Sequence, residues 1–369
     1  MAAAHVQPSG RQPFTVRPSS SPVAPPSMAA IQAGRLKDAL LVVAAHEDAT
    51  DIFSTNVKLV DAASGAVIGQ LDGQRTDHIS AAAGLICIVP AGASGSAIRV
   101  LNPATGGITD IPAGPTAVAH GGWTSQSSYV FAHISTTKEY KLLRVITSRG
   151  RHDDKLKQSC EILTLGGRGQ RWRPASSPPV LLSTTVPRQR AVTAGFAHFL
   201  TTTRTIGYDG IASFDMVKEE WRPCLLPGPL PSGSRNCCQS NLSLVELNSC
   251  LAFVHHDYLS YCIDMWVLED MGEAKWLQIE PLHFRSFLSG FEELEKGQLA
   301  PLIPVKRRKE IFAQPLMVMD DGRIAFWVRF PNGVVRVYDP KARKCEDAVR
   351  MGSASSIVGL YKGSQVELS

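Results

Sequence analysis

Six times along this chain an apolar run ends at a polar or glycine residue, and a bulky residue follows six positions later. The pairs are Asp61/Val67, Asn102/Ile108, Gly166/Trp172, Asp215/Trp221, Asp270/Trp276 and Asp339/Cys345. In VKLVDAASGAV, IRVLNPATGGI, IASFDMVKEEW and VRVYDPKARKC the pattern is cleanest, and each copy reads as a β-hairpin. An extended apolar strand needs a sharp reversal, which Asp, Asn, Pro and Gly supply through side-chain hydrogen bonds, fixed φ or positive φ. Successive copies start 41, 64, 49, 55 and 69 residues apart, close to the roughly 40 to 50 residues of a four-stranded propeller blade with variable loops. The spacing predicts an all-β chain folded as a β-propeller of about six blades.

A propeller is one closed body, so a chain of 369 residues is read as one domain, 36–369, rather than two or three. The segment FRSFLSGFEELEKGQ, 284–298, is the best helical signal and is read as an insertion between the fifth and sixth units. Residues 1–35 lack Asp and Glu and are rich in Ala, Ser and Pro, so they are expected to form a disordered extension. Residues 1–37 also have the acid-poor look of an organelle transit peptide, although their prolines oppose an amphipathic helix. Without a secretory apolar run, and with eight cysteines in no framework spacing, a cytoplasmic or nuclear location is expected. Cys87, Cys160, Cys250 and Cys262 lie in apolar runs and are read as small core residues. No run reaches membrane-span length, and a net charge of +5 is too dispersed to imply nucleic acid, so neither partner is expected.

The phrases GLICIVPAG, VLNPATGGITDIP, KEYKLLRVI, CEILTLGGRGQRWR, GIASFDMVKEEWRPCLLP, LVELNSCLAFV, IDMWVLEDMGEAKW, DDGRIAFW and VRVYDPKARK resemble, in order and spacing, the F-box-associated domains of plants. That resemblance, over about Gly84 to Lys344, implies a kelch-like propeller that captures a target protein for a cullin-RING ubiquitin ligase. It departs at the N-terminus. The helical F-box that docks on the ligase adaptor has no match here, so the adaptor is expected as a partner only if an F-box is missing from the gene model. A propeller with a small-molecule or sugar site in the central channel is the alternative from another class, and a truncated family relic is the third.

No GxSxG, HExxH or P-loop is present, and neither an enzyme nor a cofactor is expected. His255, His256 and Asp257, with Cys237 and Cys238 upstream, are a poor zinc set because adjacent strand residues point to opposite faces. They are read as a strand end with one ring buried and one solvated. Tyr258, Tyr261 and Cys262 have the composition of a copper-radical site but not its spacing, and YLSYCIDMWVL reads as a core strand. The run Lys306, Arg307, Arg308 and Lys309 is a candidate contact for an acidic partner or an import signal. Trp123 falls outside the repeat and is a candidate rim contact, whereas Trp172, Trp221 and Trp276 recur at equivalent positions and are read, with Asp61, Asn102, Asp215 and Asp339, as repeat anchors.

Overall fold

The computed structural model describes residues 15–16, 40–46, 54–62, 64–90, 97–112, 124–149, 155–166, 170–202, 210–230, 239–257, 262–283, 312–328, 333–350 and 355–361. The strands begin with β1 (Thr15–Val16), β2 (Leu40–His46), β3 (Ser54–Asp61) and β4 (Val67–Ala82). β5 (Leu85–Pro90), β6 (Ile98–Asn102) and β7 (Gly107–Ile111) follow. Three four-stranded antiparallel sheets come next: β8 (Thr124–Ile134), β9 (Glu139–Arg149), β10 (Leu156–Thr164) and β11 (Arg173–Ala175); β12 (Arg190–Thr193), β13 (Phe196–Leu200), β14 (Ile211–Asp215) and β15 (Glu220–Trp221); β16 (Leu242–Leu247), β17 (Cys250–Asp257), β18 (Cys262–Asp270) and β19 (Lys275–His283). The last is β20 (Ala313–Val318), β21 (Ile324–Val328), β22 (Val334–Asp339) and β23 (Lys344–Arg350), and β24 (Ser355–Tyr361) ends the order.

The remaining strands form one eight-stranded sheet, β24-β2-β3-β4-β5-β6-β7 with β1 on β4. Its register divides it in two. β4 is 16 residues long, pairs with β3 as far as Arg75, and from Thr76 onward pairs with β5. It is therefore the outermost strand of a first blade and the innermost strand of a second. The repeat pattern predicts one separate sheet per copy. Instead five hydrogen-bonded sheets carry six four-stranded blades, because no proline or turn breaks β4 where one blade hands over to the next.

Six apolar cores among the described residues lie between successive blades and close a ring. Leu59 and Leu71 meet Ile86 and Leu101 between blades one and two. Val100 and Ile111 meet Leu142 and Leu163 between two and three. Val145 and Ile162 meet Phe199 and Phe214 between three and four. Leu200 and Ile211 meet Leu244 and Phe253, Val254 and Met265 meet Ile324 and Phe326, and Val335 and Val349 meet Val60 and Ala62. That last core joins the sixth blade back to the first. Closure is also made by hydrogen bonds, since β24 pairs antiparallel with β2 from Leu40/Tyr361 to Ala45/Ser355. The expected all-β propeller is thus the fold, and its would-be open edge is covered.

The hairpin copies join the third and fourth strands of their blades. Val60 opposes Val67, Leu101 opposes Ile108, Phe214 opposes Trp221 and Tyr338 opposes Cys345. In each the fifth residue of the turn, counted from the Asp or Asn, has positive φ: Gly65, Gly106, Glu219 and Arg343, with Ala274 in the copy after Asp270. The third copy differs. β10 ends at Thr164, and Ile162 opposes Arg173, so Gly166 and Trp172 flank a wider loop.

Strands alternate in direction, so the turns between strands one and two and between strands three and four emerge at one end of the propeller. The connections between strands two and three, and those linking blades, emerge at the other. We call these the turn end and the loop end. Turn-end connections are short, such as Ala83–Gly84, Ala194–Gly195 and Asn248–Ser249, each pair with positive φ at both residues. Loop-end connections are longer, such as 284–312 between β19 and β20.

Of the expected disordered extension 1–35, Thr15–Val16 pair with Gln70 and Gly69, and the rest lies outside the described residues. The predicted helical insertion 284–298 also lies outside them. Cys87 and Cys160 are buried, but Cys250 is exposed beside the Asn248–Ser249 turn and Cys262 is only half-buried at the start of its strand. Among the described residues no helix is long and apolar enough to cross a membrane.

Candidate functional site at the loop end of the central channel

Each blade sends its first strand to the axis, where His78 in the middle of β4, Ser128 of β8 and Arg190 of β12 meet. Arg190 is the first residue of β12, delivered by a single 3₁₀ turn at Pro187–Gln189 whose proline fixes the entry. Its Nη1 donates to Ser128 Oγ of blade three at 2.6 Å and to Thr184 O at 3.4 Å, and its Nη2 lies 3.0 Å from His78 Nδ1 of blade two. One guanidinium thereby ties the innermost strands of three blades. Arg is only a donor, so His78 Nδ1 accepts and the ring proton sits on Nε2. Burial, reinforced by the Arg190 charge, holds the His78 pKa down to about 3. Burial also lowers Arg190 to about 10, which leaves it charged at neutral pH.

A web of neutral groups surrounds this pair. Thr184 Oγ1 and Thr147 Oγ1 are 3.1 Å apart, and the Gln158 side chain donates to Thr147 Oγ1 and Leu182 O while accepting from Leu182 N. Ser183 Oγ donates to Gln189 Oε1, Gln189 Nε2 donates to Gln239 O at 2.5 Å, and Gln239 Nε2 donates to Thr201 O at 2.9 Å. The linker 176–189 is therefore fastened to blades three, four and five without a carboxylate.

Further round the same end, Arg188 lies over the Phe312 ring at 5.1 Å. Phe312 packs against His256 on one side and Trp327 on the other. The expectation of one buried and one solvated histidine is corrected, because both rings are buried. His256 Nε2 meets Ala313 O at 2.9 Å, and burial holds its pKa down to about 4. His255 turns to the opposite face, where its Nδ1 is 3.3 Å from Asp264 Oδ2. His256 thus reaches across to blade six, whereas Asp264 lies opposite His255 within blade five. Among the described residues no group of three or more His, Cys, Asp or Glu is placed to hold a metal ion.

The repeat residues occupy equivalent places. Asp61 Oδ1 accepts from Ser64 N, Asn102 Oδ1 from Ala104 N, Asp215 Oδ1 from Val217 N and Lys218 N, Asp270 Oδ1 from Gly272 N and Glu273 N, and Asp339 Oδ1 from Lys341 N and Ala342 N. Trp172, Trp221 and Trp276 are half-buried, and their Nε1 groups donate to Pro112 O, Ser176 O and Pro227 O. Each acceptor follows the last paired residue of the preceding blade's outer strand, so the indole spans two blades.

Trp123 and the Lys306, Arg307, Arg308, Lys309 run lie outside the described residues, as do Tyr258 and Tyr261. In the sequence, 113–123 and 284–311 lie between one blade's outer strand and the next blade's inner strand. Arg190 and His78 escape sequence reasoning. Their positions, 112 residues apart, are brought together only by ring closure, and VPRQRAV carries no motif.

A closed six-bladed β-propeller with an arginine joining three of its innermost strands is the class of protein that this geometry defines. The model of the F-box associated β-propeller domain matches residues 40–293, over two thirds of the chain. The chain belongs to that family. The match covers blades one to five, and blade six and β24 complete the ring beyond it. Among curated proteins none matches this sequence. Solved structures similar in outline include dihydro-heme d1 dehydrogenase NirN in complex with DHE, at 12% identity over 87% of this chain and 69% of that one, TM-score 0.39. Others are the acylaminoacyl peptidase of Pyrococcus horikoshii (9% identity, 86% of this chain and 47% of that one, TM-score 0.40) and a protein of unknown function from Bacteroides caccae (10% identity, 87% and 97%, TM-score 0.43). This chain thus spans about half the length of that peptidase. Likenesses at scores this low carry no argument about activity.

Proposed function

We propose that this chain is a non-enzymatic protein-interaction propeller, equivalent to the substrate-recognition part of an F-box subunit of a cullin-RING ubiquitin ligase, acting in the cytoplasm or nucleus. Membership of the F-box associated propeller family carries the reading. The asymmetry of the fold supports it: strands are occupied in inter-blade cores, and the longer connections gather at one end, where recognition loops on a rigid scaffold belong. Trp123 and the Lys306 to Lys309 run are the proposed contacts on those connections.

The test uses purified ligase adaptor and two forms of the protein, the chain as given and the same chain fused behind a complete F-box. The fused form is expected to bind adaptor stoichiometrically and to promote ubiquitination of a protein captured by the propeller. The unfused chain is expected to capture the same protein without the adaptor. If neither form enriches any protein above background, the reading is wrong.

A further inference from the structure

Arg190 presents an imbalance that the fold does not resolve. Its hydrogen-bond partners are a serine hydroxyl, a backbone carbonyl and a neutral imidazole, and no carboxylate pairs with it among the described residues. A cation partly withdrawn from water carries a desolvation cost unless an opposite charge compensates it. Neutral acceptors fix its direction but return little of that cost. Those contacts use both Nη1 protons and one Nη2 proton, leaving Nε–H and the second Nη2 proton without a protein partner among the described residues. The group is also held from several sides: Thr184 is braced through Thr147 and Gln158, and His78 approaches from blade two. A rigid fork of donors, charged and uncompensated where the innermost strands of three blades meet, has the chemistry that recognises a planar or tetrahedral oxyanion.

We propose that Arg190 is the recognition group of an oxyanion site at the loop end of the channel, taking a carboxylate or a phosphate group. Ser128 and Thr184 O set the plane of the guanidinium, and His78, held neutral, keeps its ring turned to the fork. The source of the oxyanion is either an acidic or phosphorylated side chain of the captured protein or a free small anion. Only the first source rests on the interaction reading above.

The full chain is titrated with inorganic phosphate and with acetate while its melting temperature is followed, with sodium chloride at matched ionic strength as reference. One of the two anions is expected to give a saturable rise beyond chloride, absent in Arg190→Gln and shifted to at least about tenfold higher concentration in Arg190→Lys, which keeps the charge and loses the fork. Glu219→Gln, a destabilising change in the turn of blade four at the other end of the propeller, is expected to retain the rise, so that a folding defect of Arg190→Gln does not decide the matter. No saturable rise in the wild type, or an equal rise in folded Arg190→Gln, overturns the site. Loss of both the rise and protein capture in Arg190→Gln assigns the oxyanion to the captured protein. Loss of the rise with capture intact assigns it to a free anion. A rise in wild type that captures no protein leaves this site standing and removes the interaction reading.

Discussion

Arg173, on the outer strand of blade three, forms a two-pronged ion pair with Glu219 in the turn of blade four: Nη1 to Oε2 at 2.5 Å and Nη2 to Oε1 at 2.8 Å. Glu219 also accepts from the buried Lys141 ammonium at 2.9 Å, and Lys141 donates in turn to Met216 O. The Arg173 guanidinium, followed by Lys141, holds the Glu219 pKa down to about 2. Glu219 has positive φ, as the fifth turn residue does in the other hairpin copies.

The two partners of Glu219 should not be equivalent to mutation. Arg173 is half exposed and Lys141 is buried, so solvent screens the first pair and not the second. Arg173→Ala is expected to cost about 0.5 kcal/mol. Glu219→Gln, which takes the near carboxylate from a buried ammonium and leaves it Met216 O and the more distant Glu139, is expected to cost about 2 kcal/mol. Urea melts check the order, and equal losses would contradict it.

Acid should weaken the fold before carboxylates are protonated. His78, His198 and His256 are held neutral, at about 3, 3 and 4, by burial. Because the unfolded chain binds those protons near pH 6.5, it holds more protons than the folded chain below that pH, and stability falls as pH drops from about 6.5 towards 4. Each histidine contributes a slope of up to about 1.4 kcal/mol per pH unit in that window. His198 hydrogen-bonds Thr193 and Ser213 within blade four. Folded His198→Gln should show a shallower pH dependence, measured as denaturation midpoint at several pH values; an unchanged slope argues against the mechanism.

Ala194 has φ of 48° and Gly195 of 82° in the two-residue turn between β12 and β13. Such a turn prefers Asn before Gly, since alanine gains nothing from a left-handed conformation. Ala194→Asn is expected to raise stability by about 0.5 to 1 kcal/mol, visible as a higher melting temperature.

Trp221→Phe isolates the inter-blade hydrogen bond from the packing of the ring on Phe199 and Phe214. A loss of about 1 kcal/mol is expected, with Trp221→Ala costing about 2 to 3 kcal/mol because the indole is half-buried rather than enclosed. Equal effects of the two changes would mean that the ring's packing contributes nothing.

Much of the architecture is local and therefore readable. Asp215 caps its turn through contacts two and three residues away, and Phe214 opposes Trp221, so hairpin after hairpin is written in consecutive residues. The division of β4 between blades is not, since it depends on which neighbours arrive on either side of Arg75. The channel mouth is harder still. Arg190 in VPRQRAV looks like any strand-edge arginine until His78 and Ser128 are carried beside it, and the burial of both His255 and His256 follows from neighbouring blades packing on both faces of β17, which alternation along one strand does not reveal.

The pairing of β2 with β24 sets the order in which this ring can be finished. Leu40 waits for Tyr361, more than 300 residues later, so a chain emerging from the ribosome holds its first blade without an innermost strand until blades two to six have been made. During that interval the apolar side of Val60 and Ala62 has no sixth blade to cover it, and a nascent chain stalled before Ser355 is the form most exposed to chaperones and to pairing with a neighbouring copy.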